Sequence, residues 1–334
     1  MSGGGSLRPH LLTGVDLERM SAPEIAEVKR LVYRHKVVVV RGQELGPGEL
    51  VRAAARFGDV ETYFQKNYHH PDHPEVFVSS NVPLDGRKVG VAGTGRYWHC
   101  DYQFFPRPFS FVFVYPVVLP GSPRFTQFVD MADALRRLPA GLRAHLSSAV
   151  AVHDPKLKYK IQPSDVDKAI DEILAEVEKL VPPLRRKAVI EHPVTGEPVL
   201  FMSPGFTRGL ASLSTEENAA LMAEIFGHVL QDEHICSVQW TAGDLLLWDN
   251  ISLIHRSSAA GLDGGPTTNF RVTVYDDAPG AAPAFLGRPD EHPAAGALEA
   301  ASSSARRPRA RARRPRPARG ARPRGPRPSG SGSA

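Results

Sequence analysis

The stretch Trp98-His99-Cys100-Asp101-Tyr102 constrains this chain more than any other. Side chains alternate across an extended strand, so His99 and Asp101 face one way and Cys100 the other. An imidazole and a carboxylate then converge on one point, which is two thirds of a 2-His-1-carboxylate metal set. A fold that uses this pair must return a third ligand from a distant part of the chain.

With 13 His and 18 Asp in 334 residues, a His-x-Asp pair is expected about 0.7 times by chance, so the pair must be weighed in its context. A second copy, His70-Pro71-Asp72, lies in Tyr68-His69-His70-Pro71-Asp72-His73-Pro74, where two prolines argue for a loop. The copy at His99 precedes an apolar, strand-like run, Ser110-Phe111-Val112-Phe113-Val114-Tyr115, and is the better candidate. A buried histidine paired with an aspartate is the competing structural explanation.

The length suffices for one large core or two small ones. No run of 18 apolar residues is present, so no membrane span is expected. The first six residues, Met1-Ser2-Gly3-Gly4-Gly5-Ser6, carry neither a basic nor an apolar segment, so no secretory signal is expected. Cys100 and Cys236 are the only cysteines, too few for a disulfide framework, and a cytoplasmic location is expected. The formal charge of +5 belongs to a tail: residues 301–334 hold 11 Arg and no acid, and without them the charge becomes −6. That segment has no apolar residue larger than Ala or Pro and cannot bury enough surface to order itself. It also lacks aromatic residues for base stacking, so nucleic acid is not the expected partner. Residues 1–285 are expected to form one domain and 286–334 a disordered Arg/Pro-rich tail.

Along the chain, Ser21-Ala22-Pro23-Glu24 is a capping-box pattern that starts a helix to about His35. Val37-Val38-Val39-Val40 reads as a buried strand. A second helix is expected from about Pro47 to Phe57, stopped by Gly58. Further strands are expected over 75–80, 110–118 and 125–130, then a helix near 131–138. A helix of about 17 residues is expected from Ser164, with Ile170, Ile173, Val177 and Val181 at helical spacing. A hairpin turns at Thr195-Gly196, and Ser214-Thr215-Glu216-Glu217 opens a helix to about Leu230. Strands are expected over 237–240, 244–248 and 270–275. Many short strands with helices at the start and in the middle predict a mainly β fold with helical decoration. Its expected core is a double-stranded β-helix, that is, a cupin-like jelly roll.

The third ligand expected is His255, on the strand after Gly243-Asp244-Leu245-Leu246-Leu247-Trp248-Asp249-Asn250. Arg271, in Asn269-Phe270-Arg271-Val272-Thr273, faces into such a barrel and needs an anionic partner, because a buried unpaired cation is too costly. A carboxylate suits its planar fork. Thr126 is placed to add a hydroxyl.

Taken in this order, Trp98-His99-x-Asp101, Thr126, Trp248-Asp249-Asn250, His255 and Arg271 closely resemble the taurine dioxygenase (TauD/TfdA) family of Fe(II)/2-oxoglutarate-dependent dioxygenases. The resemblance covers roughly residues 11–278. It implies that His99, Asp101 and His255 are the catalytic metal ligands for Fe(II), that Thr126 and Arg271 hold 2-oxoglutarate, and that O2 is the other co-substrate. Pro123-Arg124-Phe125 stands where many members have Gly-Gly-Asp, and Ile251 where many have Arg.

Tyr63, the run from Tyr68 to Ser80, His153-Asp154-Pro155 and Lys160-Ile161-x-Pro163-Ser164-Asp165-Val166 resemble a subgroup, the isonitrile-forming oxygenases of lipopeptide biosynthesis. That resemblance implies a 3-(carboxymethylamino) fatty acid substrate, free or linked to a carrier protein, with Tyr63, Tyr68 and Lys160 holding the carboxylate of its glycine arm. Phe64 replaces one subgroup tyrosine, and Ala259 stands where some members have His. The alternative within the family is hydroxylation of a sulfonate or an amino acid. The remote alternative is a non-catalytic metal-binding jelly roll or a nucleic-acid binder using the Arg tail. Chain length of the substrate and oligomeric state are not written in the sequence.

Overall fold

The computed structural model describes residues 7–84, 86–259 and 265–276. Strand β1 (His10–Leu12) leads to helix α1 (Ala22–His35), which opens on the expected capping box. Glu24 Oε2 accepts from the Ser21 main-chain N–H at 2.6 Å, and Ile25, Val28 and Val32 are buried along one face. All four valines of β2 (Val37–Val40) are buried. Helix α2 (Pro47–Ala54) starts on its proline but ends before the expected Phe57. The Phe57 N–H turns back to the Ala54 carbonyl at 2.9 Å, a tighter bond than an α-helix makes.

Strands β3 (Gly58–Glu61), β4 (Phe77–Ser80), β5 (Phe111–Val118) and β6 (Arg124–Asp130) follow, then helices α3 (Met131–Arg137) and α4 (Ala140–Ser148) and strand β7 (Val150–His153). The long helix expected from Ser164 is not there. Residues Pro163–Asp165 form a single 3-10 turn, and α5 (Ile170–Leu180) begins later. Asp165 explains the delay: its Oδ2 accepts from the Gln162 N–H at 2.7 Å and from the Tyr159 hydroxyl at 2.9 Å, so the side chain ties the chain into a turn. Ile173, Val177 and Val181 are buried as their spacing predicts, whereas Ile170 is exposed.

After β8 (Leu184–Lys187), the expected hairpin is present as β9 (Val189–Glu191) and β10 (Pro198–Leu200). Strand β11 (Thr207–Leu210) and helix α6 (Thr215–Val229), capped by Ser214, precede β12 (Cys236–Gln239), β13 (Leu245–Asp249), β14 (Leu253–Ala259) and β15 (Thr268–Asp276).

The larger sheet has the order β1-β2-β13-β5-β15-β3, with β4 also paired to β15. The smaller sheet is β12-β6-β14, antiparallel throughout. Val37, Val39, Val112, Val114, Leu246 and Trp248 of the first pack against Phe128, Val238 and Leu253 of the second. The opposite face of the larger sheet is covered by α1 and α2 through Ile25, Val28 and Leu50, and by Phe57 in the turn after α2. The described residues are therefore mainly β with several helices, and they belong to one compact unit. Among them no helix is long and apolar enough to cross a membrane. The expected tail, 286–334, lies outside the described residues.

Candidate metal centre and its pocket

His255 sits in the middle of β14, opposite Phe128 of β6. Residue 99 is bound to it on the other side. His99 N donates to His255 O at 3.0 Å, and His255 N donates to His99 O at 2.7 Å, so the two imidazole rings lie side by side with centroids 4.2 Å apart. The extended strand expected over 98–102 is reduced to this one bridge. Directly afterwards the chain turns, with Tyr102 at φ 56°, a left-handed conformation uncommon outside glycine. Even so, Cys100 faces away and is buried in the apolar layer under α3, as alternation requires, while Asp101 returns to the side of the two histidines.

The Asp101 oxygens lie 3.7 Å from His99 Nε2 and 3.8 Å from His255 Nε2. One donor atom from each residue falls within 4.8 Å of the others, and all three are buried. This is the only such buried trio among the described residues that could hold a metal. The second His-x-Asp forms a turn instead: the Asp72 N–H donates to His70 Nδ1 at 3.2 Å.

The donor set fits a divalent ion. His99 Nδ1 lies 2.7 Å from the Tyr97 carbonyl, so it carries the hydrogen and leaves the Nε2 lone pair for a metal. Asp101 Oδ2 is buried with no hydrogen-bond partner among the described residues. Burial lowers the pKa of both histidines and keeps them neutral, His255 more strongly than His99. Burial alone would raise the Asp101 pKa, but the charge and hydrogen bond of Arg271 outweigh it and hold the group ionised.

The trio opens on a pocket whose walls include Thr126, Arg271, Tyr63, Tyr68 and Lys160. Arg271 rises from β15, opposite Val114 of β5 and Phe77 of β4, and its guanidinium lies 4.0 Å over the Phe77 ring. Its Nε is buried and has no hydrogen-bond partner among the described residues. Thr126 Oγ1 accepts from Trp240 Nε1 at 2.8 Å, which fixes the hydroxyl on β6. Tyr63 packs edge-on against Tyr68 and Tyr102, each at 5.1 Å, and burial raises the pKa of all three phenols, so they stay protonated. Lys160 Nζ donates to the Ala92 and Gly93 carbonyls at 2.9 Å each, so it ties down the glycine-rich loop at the pocket rim.

Sequence reasoning overlooked Arg124 and Tyr97. Arg124 is buried on the same wall, 5.3 Å over the Trp240 ring, with no ion pair among the described residues. The signal was available in Pro123-Arg124-Phe125, which departs from the usual family pattern and puts a cation two residues before Thr126, on the same face. Tyr97 packs on the His99 ring at 4.9 Å. Its only sequence signal is proximity to His99.

A family model described as taurine catabolism dioxygenase TauD, TfdA family matches residues 5–273. The chain is 29% identical over 287 residues to an alpha-ketoglutarate-dependent 2,4-dichlorophenoxyacetate dioxygenase of Cupriavidus pinatubonensis, covering 81% of this chain and 97% of that protein. It is 27% identical over 292 residues to a pentalenolactone F synthase of Streptomyces avermitilis, covering 82% and 93%. Among solved structures, a taurine dioxygenase from Burkholderia xenovorans superposes with a TM-score of 0.64 at 26% identity, covering 82% of this chain and 89% of that one.

Proposed function

The chain belongs to the taurine catabolism dioxygenase TauD, TfdA family, and from that premise we propose that it converts the N-carboxymethyl group of a 3-(carboxymethylamino) fatty acid to an isonitrile. It is an Fe(II)/2-oxoglutarate-dependent dioxygenase acting on a small molecule, with O2 as co-substrate. The two packed sheets are read as its jelly-roll core, residues 1–285 as the catalytic domain and the cytoplasm as its location. The substrate is free or carrier-linked.

The observation that carries the substrate reading is the grouping of Lys160 with Tyr63 and Tyr68 on the pocket that opens at His99, Asp101 and His255. Arg271 and Thr126 would hold 2-oxoglutarate by one of its carboxylates. The pocket wall then still offers Lys158, Lys160 and Arg124, and among the described residues Asp101 is its only acid. A second anion, carried by the substrate, balances that charge. The 2,4-dichlorophenoxyacetate that names the Cupriavidus relative is an oxygen–methylene–carboxylate unit. The proposed substrate carries nitrogen in place of that oxygen, so the same methylene would face the metal while the same carboxylate is held.

When bound, the iron with 2-oxoglutarate and O2 supplies the oxidising equivalents. Going from the amine to the isonitrile removes four hydrogens and one carbon dioxide, which consumes two 2-oxoglutarate and two O2 and releases two succinate, two further carbon dioxide and two water. His99, Asp101 and His255 hold the ion. Lys160 and the protonated phenols of Tyr63 and Tyr68 hold the glycine-arm carboxylate. The surrounding aromatic side chains, Phe77, Tyr102, Phe104 and Phe206, keep water from the methylene.

The test is a mass-spectrometric assay with 3-(carboxymethylamino)butanoate, trapping isonitrile with a tetrazine. Trapped product that disappears in Lys160→Ala supports the reading. Succinate without isonitrile, across longer-chain and carrier-linked substrates as well, discards it in favour of oxidation of a sulfonate or amino acid, the reading favoured by the likeness to a taurine dioxygenase.

A further inference from the structure

Every main-chain N–H and C=O buried in a fold needs a partner, and around Asp101 the sheet supplies none. The bridge that holds His99 to His255 ends at His99, and the chain turns away at Tyr102. Both groups of residue 101 instead go to one side chain. Asn250 Oδ1 accepts from the Asp101 N–H at 3.0 Å, and Asn250 Nδ2 donates to the Asp101 carbonyl at 2.9 Å. The same Nδ2 donates to the Phe109 carbonyl at 3.2 Å.

We propose that Asn250 is the positioning residue for the carboxylate ligand, acting as a substitute strand that fixes the Asp101 main chain and thereby aims its carboxylate between the two histidines. The inference rests on the assignment of His99, Asp101 and His255 as metal ligands. A planar amide is the side-chain group that offers a donor and an acceptor in the geometry of a peptide. Asn250 is fully buried, so water does not compete for either bond.

The amide is itself rigidly mounted. The Asn250 N–H donates to the Ser110 carbonyl at 2.9 Å, and its carbonyl accepts from Cys100 Sγ at 3.1 Å. The preceding residue, Asp249, anchors the turn. Its Oδ1 accepts from the Ile251 N–H at 3.0 Å, and its Oδ2 from Ser252 Oγ at 2.5 Å and from His192 Nε2 at 3.1 Å. His192 Nδ1 accepts from the Val194 and Thr195 N–H groups, which leaves the ring hydrogen on Nε2, facing Asp249. The chain thus runs from the hairpin turn at Val194-Thr195, through His192 and Asp249, to the amide that holds Asp101. Outer partners of this kind commonly change metal affinity roughly 10–100-fold when removed.

The experiment uses the full chain stripped of metal. Wild type, Asn250→Ala and Asn250→Asp are titrated with Co(II), following its visible absorption, and each apo-protein is melted by circular dichroism. Asn250→Asp keeps the size and the acceptor but turns an oxygen toward the Asp101 and Phe109 carbonyls, and it serves if the alanine variant does not fold. Val28→Ala, in the apolar layer under α1, is the control for lost stability without a change at the turn. The expected result is a Co(II) dissociation constant raised roughly 10–100-fold in both Asn250 variants, with Val28→Ala near wild type at a comparable melting loss. A folded Asn250 variant within twofold of wild type overturns the proposal, as does a Val28→Ala that weakens Co(II) equally. A wild type that takes up no Co(II) overturns the metal assignment itself, and the proposal with it.

Discussion

Arg271 Nη1 donates to Asp101 Oδ1 at 2.5 Å, so one guanidinium bridges the carboxylate of the metal trio and the region where 2-oxoglutarate is expected. A buried carboxylate with two neutral histidines beside it needs a positive neighbour, and Arg271 is the one at hand. With the metal site filled, the arginine fork would be available to another carboxylate. Arg271→Lys keeps the charge and loses the fork. The KM for 2-oxoglutarate, measured by succinate formation, should rise at least about tenfold, in line with the roughly 1.5–3 kcal/mol of a charge-assisted hydrogen bond. A KM within twofold of wild type would mean that the co-substrate carboxylate lies elsewhere.

Replacing His99, Asp101 or His255 by Ala should reduce turnover to background and bound iron below one equivalent. The loss should exceed the roughly 10–100-fold seen for outer partners of metal ligands. Iron content by plasma emission, alongside succinate release, checks both. Full activity in any one of the three variants would remove that residue from the ligand set.

Much of this site was legible because its residues lie on elements with strong local signals. Val37–Val40, the capping boxes at Ser21 and Ser214, and the hairpin at Thr195-Gly196 follow from short-range rules and are found as expected. His255 was placed on a strand by the turn ahead of it. The misreadings occur where a side chain outcompetes the local pattern. Asp165 ties off a turn inside what reads as a helix, and the amide of Asn250 replaces a strand next to Asp101. Helix α4 and the sheet β11-β7-β8 were not anticipated either: α4 shows a buried face of only Leu146, and β8, Leu184–Lys187, is three-quarters basic. Their order comes from tertiary contacts that no short window contains.

Lys160 has two carbonyl partners at the rim of the pocket and no acid within salt-bridge reach among the described residues. Burial, with Arg96 nearby, lowers its pKa below that of a free lysine, 10.5. The ammonium is therefore lost, and with it the grip on a substrate carboxylate, at a pH below 10.5. Lys160→Gln should raise the substrate KM about tenfold or more and leave the KM for 2-oxoglutarate within twofold, because Arg271 is unchanged. The rise in substrate KM at alkaline pH should disappear in the variant. An equal rise in both constants would point to a displaced loop at Ala92 and Gly93 rather than a lost charge contact.

His153 gives the protein an acid-sensitive element away from the metal. It is fully buried, and Thr207 Oγ1, which accepts from the Ser203 N–H, lies 3.2 Å from its Nδ1. Burial first, and the charge of Arg186 second, push its pKa from 6.5 down to about 3. In the unfolded chain the ring takes up a proton near pH 6.5, whereas the folded protein does not until about pH 3. The unfolded state therefore binds more protons in that window, and stability falls as the pH falls through it. From pH 7 to pH 5 the contribution of this one group amounts to about 2 kcal/mol. His153→Gln cannot titrate, so its urea-unfolding free energy should fall by about that much less over the same interval, even if it starts lower at pH 7. Parallel curves for the two proteins would show that His153 takes up its proton without unfolding, and the buried neutral ring would have to be abandoned.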